Sequence, residues 1–300
     1  MRIFTNWVLL ILCLFSCGSL LQANERKVVL ITGASRGIGF ATAQRLADEG
    51  YCVYATARNI VSLDFKKNKD IHVEELDVTD DSTIQKTIGK IIKKEGHLDI
   101  LINNAGYALA GPLECLSMAE IQDQMNVNFF GVIRVCQAVL PQMRKQKSGH
   151  IINISSEQGI YGLPYGSLYT SSKAALESLS EALSVELLPW NITVSIVEPG
   201  MVATNFSVKL GSRTVNKNPY EKICERITSS LTDKRNPSVD CQTPEEVAQF
   251  LYTVIVDPKP QLRYQTSKAA ETLVSQFIKD PSGQEYLKWI KPLIDDYYSK

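Results

Sequence analysis

The sequence predicts an α/β fold with a doubly wound parallel sheet and helices on both faces. Apolar, β-branched runs alternate with segments of helical period, and the connections between them are short. Most of the predicted strands are mainly apolar, which is typical of a parallel sheet buried on both sides. The 300 residues suffice for one domain with a large core, and the 32 basic and 32 acidic side chains lack the positive excess of a nucleic-acid-binding protein.

The predicted elements follow one another in regular order. Six strands are expected, at 27–32, 51–57, 71–76, 98–103, 150–155 and 192–198. Helices are expected at 37–49, 82–95, 119–146 and 168–188. A later helix begins at Pro244, because Thr243 is a capping residue and acidic side chains occupy the first turn. Residues 201–240 follow the sixth strand with weak helical patterns, and we expect a helical lid there.

Residues 1–23 differ in character from the domain expected at 24–300. The run WVLLILCLFSCGSLL is uncharged and mostly apolar, follows Arg2 and precedes the small residue Ala23. A secretory signal and a membrane anchor both fit this pattern, and lipidation at Cys17 and a spurious start are the remaining interpretations. We expect membrane association through this segment with the domain facing the cytosol, and export by a cleaved signal is the alternative.

The cysteines and histidines form no recognisable ligand pattern along the sequence. Five of the seven cysteines remain after residue 23, an odd number without a Cys-x-x-Cys pair, which favours reduced thiols over a disulfide framework. The three histidines, His72, His97 and His150, are isolated from one another. We therefore predict neither a metal site nor a Ser/His/Asp catalytic site.

Three glycines stand between the first strand and the first helix, in ITGASRGIGF. We expect Gly33 to take the turn, Gly37 to let the backbone approach a pyrophosphate, and Gly39 to allow close packing of the helix on the strand. The start of the helix offers free N–H groups and the positive end of its dipole. The motif predicts a Rossmann-type dinucleotide site.

Two arginines indicate which dinucleotide binds. The second strand ends in ATARN, without the carboxylate that holds the ribose hydroxyls in an NAD enzyme. Guanidinium groups at Arg36 and Arg58 suit a 2′-phosphate, so NADP(H) is favoured over NAD(H). The alternative is that both are ordinary surface residues and either cofactor serves. Asp77 is either an acceptor for the adenine amino group or the cap of a turn or helix.

Tyr169 and Lys173 stand four residues apart, on one face of a predicted helix. A neighbouring ammonium favours the phenolate, so Tyr169 is a candidate general acid for a ketone and general base for an alcohol. Ser156 lies thirteen residues earlier, at the end of the strand HIINISS. Strand ends of this kind meet at one pocket, and Ser156 is the expected hydroxyl, with Ser155 as the alternative.

With these residues the chain resembles the short-chain dehydrogenase/reductase family from residue 27 onward. The shared motifs are TGASRGIG, NNAG, NVNFFG, the Ser/Tyr/Lys set and EPG. The resemblance implies that Ser156 binds the carbonyl, that Tyr169 transfers its proton and that Lys173 holds the nicotinamide ribose. It implies that Asn128 bends its helix and holds a water linking Lys173 to solvent, although a bend alone also fits.

The resemblance also implies a set of cofactor contacts, with the NNAG motif on the adenosine side and the residues after the sixth strand at the nicotinamide. These are Thr32, Gly33, Ser35, Arg36, Gly37, Ile38, Gly39, Arg58, Asp77, Asn104, Ala105, Gly106, Tyr169, Lys173, Pro199, Gly200, Val202 and Thr204.

The segments VYATAR, TPEEVAQFLYTVIVDPKPQLRY and KDPSGQEYLKW resemble a narrower branch, that of 17β-hydroxysteroid dehydrogenase type 1 and photoreceptor-type retinol dehydrogenase. This implies NADPH-dependent conversion of a steroid-like or retinoid-like carbonyl and its alcohol. Small or fatty aldehydes and ketones are the alternative substrates, and a non-catalytic NADP-binding sensor is the alternative function. The expected pocket edges are apolar or aromatic: Tyr107, Leu109, Ile160, Tyr161, Leu163, Tyr165, Met201 and Phe206.

The family resemblance further implies a homodimer or homotetramer that assembles through the helices at 119–146 and 168–188. The apolar stripes of these helices also fit packing within one chain.

Overall fold

The computed structural model describes residues 26–61, 65, 68–204, 206, 208–211, 220, 222, 241–279, 288–289 and 292. The apolar segment at 1–23, most of the lid expected at 201–240 and most of KDPSGQEYLKW lie outside the described residues. Among the residues described, no helix combines the length and the apolar character needed to cross a bilayer.

Nine strands occur in the described chain. They are β1 Val28–Ile31, β2 Cys52–Ala57, β3 Ile71–Glu75, β4 Ile100–Asn103, β5 Ala108–Ala110, β6 Gly149–Ile154, β7 Ile192–Glu198, β8 Val208–Leu210 and β9 Arg263–Gln265. Seven of them form one parallel sheet in the order β3-β2-β1-β4-β6-β7-β9. β2 and β3 lie on one side of β1, whereas β4 and the later strands lie on its other side. In open α/β sheets, ligands bind in the crevice beside such a change in strand order, here between β1 and β4.

Helices cover both faces of this sheet. They are α1 Gly37–Asp48, α2 Asp81–Glu95, α3 Met118–Met125, α4 Gly131–Gln146, α5 Ser167–Glu186, α6 Pro244–Val256 and α7 Lys268–Ile278. The apolar residues of α1 and α6 form one buried cluster with the sheet, and those of α2, α4 and α5 form another. The predicted doubly wound fold is confirmed.

The sequence analysis did not predict three short strands. β9 adds to the sheet edge beside β7, and β5 pairs with β8 in a separate two-stranded parallel sheet. Each is three residues long, and β8 and β9 contain polar residues. Such strands form because a neighbouring backbone offers hydrogen-bonding groups, and a run of three residues carries too little periodicity to reveal them. β8 is the described strand within the expected lid.

The predicted helix at 119–146 is interrupted. A π-helical turn, Asn126–Phe130, separates α3 from α4. Asn128 lies within this turn and is 1% exposed. A π-turn inside a helix is rare and is frequent at functional sites.

Candidate active site

A cavity of about 640 Å³ opens at the carboxyl ends of the central strands. Its walls come from the turn after β1, the end of β2, the segment after β4, the loop after β6, the start of α5 and the loop after β7. Most of the predicted site residues line it: Gly33, Ser35, Arg36, Gly37, Ile38, Arg58, Asp77, Asn104, Ala105, Gly106, Ser156, Tyr169, Lys173, Pro199, Gly200, Val202 and Thr204. Thr32, Gly39 and Asn128 lie behind this wall.

The glycine turn after β1 packs closely against the segment that follows β4. Gly33 has φ +67°, and a Cβ placed on it would lie 2.7 Å from Ala105 Cα. A Cβ on Gly39 would lie 2.5 Å from Asn104 Nδ2. A larger side chain at either position would push the two segments apart, so both glycines are needed for the close approach of these segments.

Thr32 joins the same two segments by hydrogen bonds. Its Oγ1 accepts from Asn104 N at 3.0 Å and from Ala105 N at 3.1 Å. Asn104 Nδ2 donates in turn to Gly33 O at 2.9 Å. Thr32 is 1% exposed, so its contribution is to hold the floor of the cavity in place.

The first turn of α1 fits an anionic ligand. The helix begins at Gly37, which has φ +58°, without a side-chain cap and without an acidic residue in its first turn. Gly37 and Ile38 line the cavity, so unpaired N–H groups and the positive end of the helix dipole lie at its wall. This arrangement suits the pyrophosphate of a dinucleotide.

Arg36 and Arg58 are exposed and line the cavity. Within the described residues neither guanidinium makes a side-chain hydrogen bond or an ion pair. Both are therefore available to a ligand anion beside the helix start.

Asp77 has the geometry of a capping residue. Its Oδ1 accepts from Thr79 N at 2.8 Å and from Thr79 Oγ1 at 2.7 Å. The residue also lines the cavity. The turn-capping role is thus present in the structure, and the contact with adenine stays a prediction.

Ser156 follows β6 and begins the short 3₁₀ turn Glu157–Gly159. Its hydroxyl accepts from Gln158 N at 3.2 Å and hydrogen-bonds with Tyr169, which lowers the pKa of that phenol. Ser155 points the other way: a Cβ on Gly159 would lie 3.0 Å from Ser155 Oγ and 3.0 Å from Glu177 Cγ. The geometry favours Ser156 as the hydroxyl that acts with Tyr169.

The expected direction of the pKa shift at Tyr169 is wrong for this structure. We expected Lys173 to lower it, but burial raises the pKa of Tyr169 to about 12, with a further rise from the charge of Glu157 and a partial offset from the Ser156 hydrogen bond. Lys173 Nζ lies 5.9 Å from the Tyr169 ring centroid and donates to Ile154 O at 2.7 Å. Desolvation outweighs the ammonium at that distance.

The ammonium of Lys173 is itself buried, and burial lowers its pKa to about 8. The negative charge of Glu177, one turn further along α5, raises that pKa and opposes the effect of burial. At neutral pH Lys173 is therefore mainly charged and Tyr169 is protonated.

Glu177 belongs to a buried carboxylate cluster that the sequence analysis did not predict. Its Oε2 accepts from Arg263 Nε at 3.0 Å, and Glu198 Oε1 lies 3.5 Å from the same nitrogen. Burial raises the pKa of Glu177, and it raises the pKa of Glu198 to about 7. The spacing of Lys173 and Glu177 along one helix face was the available signal, whereas Arg263 comes from the unpredicted strand β9.

Asn128 is fully engaged with protein groups. Its Nδ2 donates to Tyr107 O at 2.9 Å and to Ser172 Oγ at 3.1 Å, and its Oδ1 accepts from Tyr107 N at 3.1 Å. The bonds to Tyr107 hold the π-helical turn against a residue that lines the cavity. Asn128 thus lies in a π-helical interruption of the helix, and both the bend and the water-mediated relay stay predictions.

The predicted apolar pocket edge is mostly correct. Of the eight residues expected there, six line the cavity: Tyr107, Leu109, Leu163, Tyr165, Met201 and Phe206. Ile160 and Tyr161 do not. Tyr161 is 8% exposed, donates to Glu157 Oε1 at 2.9 Å and packs on Phe277 with ring centroids 4.9 Å apart. Sequence position alone could not tell a core aromatic residue from a pocket aromatic residue.

Comparison with known proteins identifies the family of the chain. The family model described as short chain dehydrogenase matches residues 27–214. A 3-ketodihydrosphingosine reductase of Bacteroides thetaiotaomicron is 45% identical over 183 residues, which cover 61% of this chain and 66% of that protein. Retinol dehydrogenase 8 of Bos taurus is 35% identical over 283 residues, 89% of this chain and 90% of that protein. Human 17-beta-hydroxysteroid dehydrogenase type 1 is 36% identical over 281 residues, 87% of this chain and 84% of that protein.

Solved structures share the fold. A short-chain dehydrogenase from Streptomyces avermitilis superposes with a TM-score of 0.76 at 31% identity, covering 90% of this chain and 99% of the other. The protein ElxO with NADP bound superposes with a TM-score of 0.69 at 28% identity, covering 82% of this chain and 99% of the other.

Proposed function

The chain belongs to the short-chain dehydrogenase family, near its 17-beta-hydroxysteroid and retinol dehydrogenase branch, and we propose that it is an NADP(H)-dependent oxidoreductase that interconverts the carbonyl and alcohol forms of a hydrophobic substrate. The proposal rests on one observation: a single cavity is lined by Ser156, Tyr169 and Lys173, by the glycine turn and by an apolar wall.

The chemistry of a bound nicotinamide cofactor would be hydride transfer to or from the substrate carbon. The residues of the chain orient the substrate and handle the proton. Ser156 holds the carbonyl oxygen, and Tyr169 donates its phenolic proton to that oxygen during reduction. A pKa of about 12 keeps Tyr169 protonated at neutral pH, which suits the reductive direction. Lys173 contributes a positive charge beside Tyr169.

Cofactor preference rests on Arg36 and Arg58. Both line the cavity beside the start of α1, and a 2′-phosphate there would accept two charge-assisted hydrogen bonds. The binding of NADP by the related ElxO supports the same choice.

The substrate class follows from the apolar wall. A cavity with Leu109, Leu163, Tyr165, Met201 and Phe206 on its surface suits a large apolar ketone or aldehyde, and a steroid or retinoid carbonyl agrees with two of the relatives. A long-chain lipid ketone is the second candidate, because a 3-ketodihydrosphingosine reductase shares 45% of the residues over 183 positions.

The remaining predictions concern assembly and location. We propose a homodimer or homotetramer that pairs through the helices expected at 119–146 and 168–188, which are α3, α4 and α5 here. The exposed apolar side chains Phe130, just before α4, and Val185, near the end of α5, support this pairing. We also propose one domain from residue 24 to 300, held at a membrane by residues 1–23 and facing the cytosol.

The experiment that tests the proposal is an activity panel on the full-length protein. Oxidation of NADPH and of NADH is followed with steroid ketones, retinaldehyde, long-chain keto-lipids and small aldehydes. We expect NADPH-dependent turnover of one of the large apolar substrates, which is lost in Tyr169→Phe. Turnover of small aldehydes alone would keep the chemistry and overturn the substrate class, and NADPH binding without any turnover would favour a sensor.

Replacing Glu177 by Gln is expected to change the pH dependence of the reaction. The negative charge of Glu177 raises the lowered pKa of Lys173, so its removal shifts that pKa further below about 8. The fraction of charged Lys173 at pH 7.5 then falls, and the alkaline limb of kcat/KM for reduction moves to lower pH.

Glu181→Gln is the matched control for this variant. Glu181 pairs with the same Arg263, at 3.0 Å, but its side chain is 53% exposed and has no part in the Lys173 pKa. If Glu177→Gln loses thermal stability but keeps the wild-type pH profile, Glu177 has a structural role and does not set the pKa of Lys173.

A further inference from the structure

A second cavity, of about 370 Å³, lies at the opposite edge of the sheet from the candidate active site. Cys52 opens β2 and His72 is the second residue of β3, so both lie at amino ends of strands, whereas the candidate active site follows the carboxyl ends. Glu95 ends α2 beside them. The cavity is lined by Arg26, Cys52, Lys69, Asp70, His72, Lys94, Glu95 and His97.

Three potential ligand atoms of different chemistry meet in this cavity. Cys52 Sγ, a ring nitrogen of His72 and a carboxylate oxygen of Glu95 all lie within 4.8 Å of one another. Sulfur, imidazole nitrogen and carboxylate oxygen together form a donor set that Zn²⁺ accepts. We propose that Cys52, His72 and Glu95 form a Zn²⁺ site, with the fourth position open to water.

The position of Lys94 supports a cation at this place. Its ammonium lies 3.2 Å from His72 Nε2, 3.1 Å from Glu95 Oε1 and 3.3 Å from Tyr54 Oη. A single positive group thus contacts two of the three proposed ligands. The Lys94 side chain is 51% exposed, so it can turn into solvent and leave the ligands to a metal ion. Lys94 therefore competes with a metal ion for His72 and Glu95.

The protonation states of two ligands already suit a metal. Burial and the charge of Lys94 lower the pKa of His72, which favours the neutral imidazole, and in this structure its Nε2 faces the Lys94 ammonium. Burial opposes ionisation of Glu95, but hydrogen bonds from Tyr54 and Lys94 outweigh it and keep the pKa of Glu95 low. Burial raises the pKa of the Cys52 thiol, so metal binding would form the thiolate and release one proton to solvent.

Neighbouring groups orient the ligands and limit repulsion of the metal. Tyr54 Oη donates to Glu95 Oε1 at 2.7 Å, which is the kind of outer hydrogen bond that holds a metal-binding carboxylate in place. The guanidinium of Arg26 is paired with Asp70 at 2.6 Å, which offsets part of its charge. It also interacts with the Cys52 thiol, a contact that a metal ion bound to Cys52 would displace.

The test is a titration of the full-length protein, stripped with a chelator, with Co²⁺ as a spectroscopic substitute for Zn²⁺. We expect one saturable Co²⁺ site with a thiolate-to-cobalt absorption band, which added Zn²⁺ abolishes. Cys52→Ser and His72→Ala are each expected to weaken Co²⁺ binding by about 100-fold or more, and Lys94→Met to strengthen it by about tenfold, in line with the usual effects of ligands and outer groups.

Cys241→Ser is the matched control, because Cys241 is an exposed cysteine outside this cavity. The band should be unchanged in this variant. The proposal is overturned if the wild-type protein shows no saturable band, if the band survives in Cys52→Ser, or if Lys94→Met weakens binding. His72 is only partly buried, so His72→Ala gives a second, independent reading if Cys52→Ser fails to fold.

Discussion

Tyr169→Phe is expected to lower kcat for carbonyl reduction by about 100- to 10,000-fold, the usual range for loss of a positioned general acid. The substitution removes one hydroxyl and keeps the ring, which packs edge-on against Phe206 with centroids 5.9 Å apart. The lost hydroxyl is the group that hydrogen-bonds with Ser156. The effect should therefore fall on the proton transfer and leave the shape of the cavity unchanged.

The measurement is steady-state turnover together with NADPH binding followed by fluorescence. NADPH binding should stay within about threefold of the wild-type value, a difference of less than 1 kcal/mol. Tyr252→Phe on α6 is the control, because it removes a phenol from a residue that does not line the cavity. Wild-type kcat in Tyr169→Phe would remove Tyr169 from the proposed mechanism.

The parts of the site that could be predicted from sequence depend on local rules. Gly33 and Gly37 have positive φ, and Gly39 lies too close to Asn104 for a side chain, so the backbone itself requires these residues. Tyr169 and Lys173 share a helix face because four residues make about one turn. Such constraints act over a few positions and are visible in a single sequence.

The parts that could not be predicted depend on contacts between distant segments. Arg263 reaches Glu177 from a three-residue strand, and the orientation of Ser155 follows from packing beside Gly159. The sign of the Tyr169 pKa shift required a comparison of burial with the Lys173 charge, and burial is a tertiary property. The cluster of Cys52, His72 and Glu95 could not be predicted for the same reason, because three different elements bring these residues together.

Arg36→Ala and Arg58→Ala are each expected to lower the preference for NADPH over NADH by about 10- to 100-fold. A hydrogen bond to a charged group contributes about 1.5–3 kcal/mol, and 1.4 kcal/mol corresponds to a factor of ten. NADH lacks the 2′-phosphate, so its kcat/KM should change little in either variant. The measurement is the ratio of kcat/KM for the two cofactors with one substrate.

NADH turnover is also the internal control for folding, because an unfolded variant would lose both activities together. Arg144→Ala provides a second control: Arg144 lies in the last turn of α4, stacks 5.5 Å from the Trp190 ring centroid and does not line the cavity. Its cofactor ratio should equal that of the wild type. If both Arg36→Ala and Arg58→Ala also keep the wild-type ratio, these arginines do not recognise the 2′-phosphate. Either cofactor would then be used, and the absence of a carboxylate after β2 would no longer predict NADP(H).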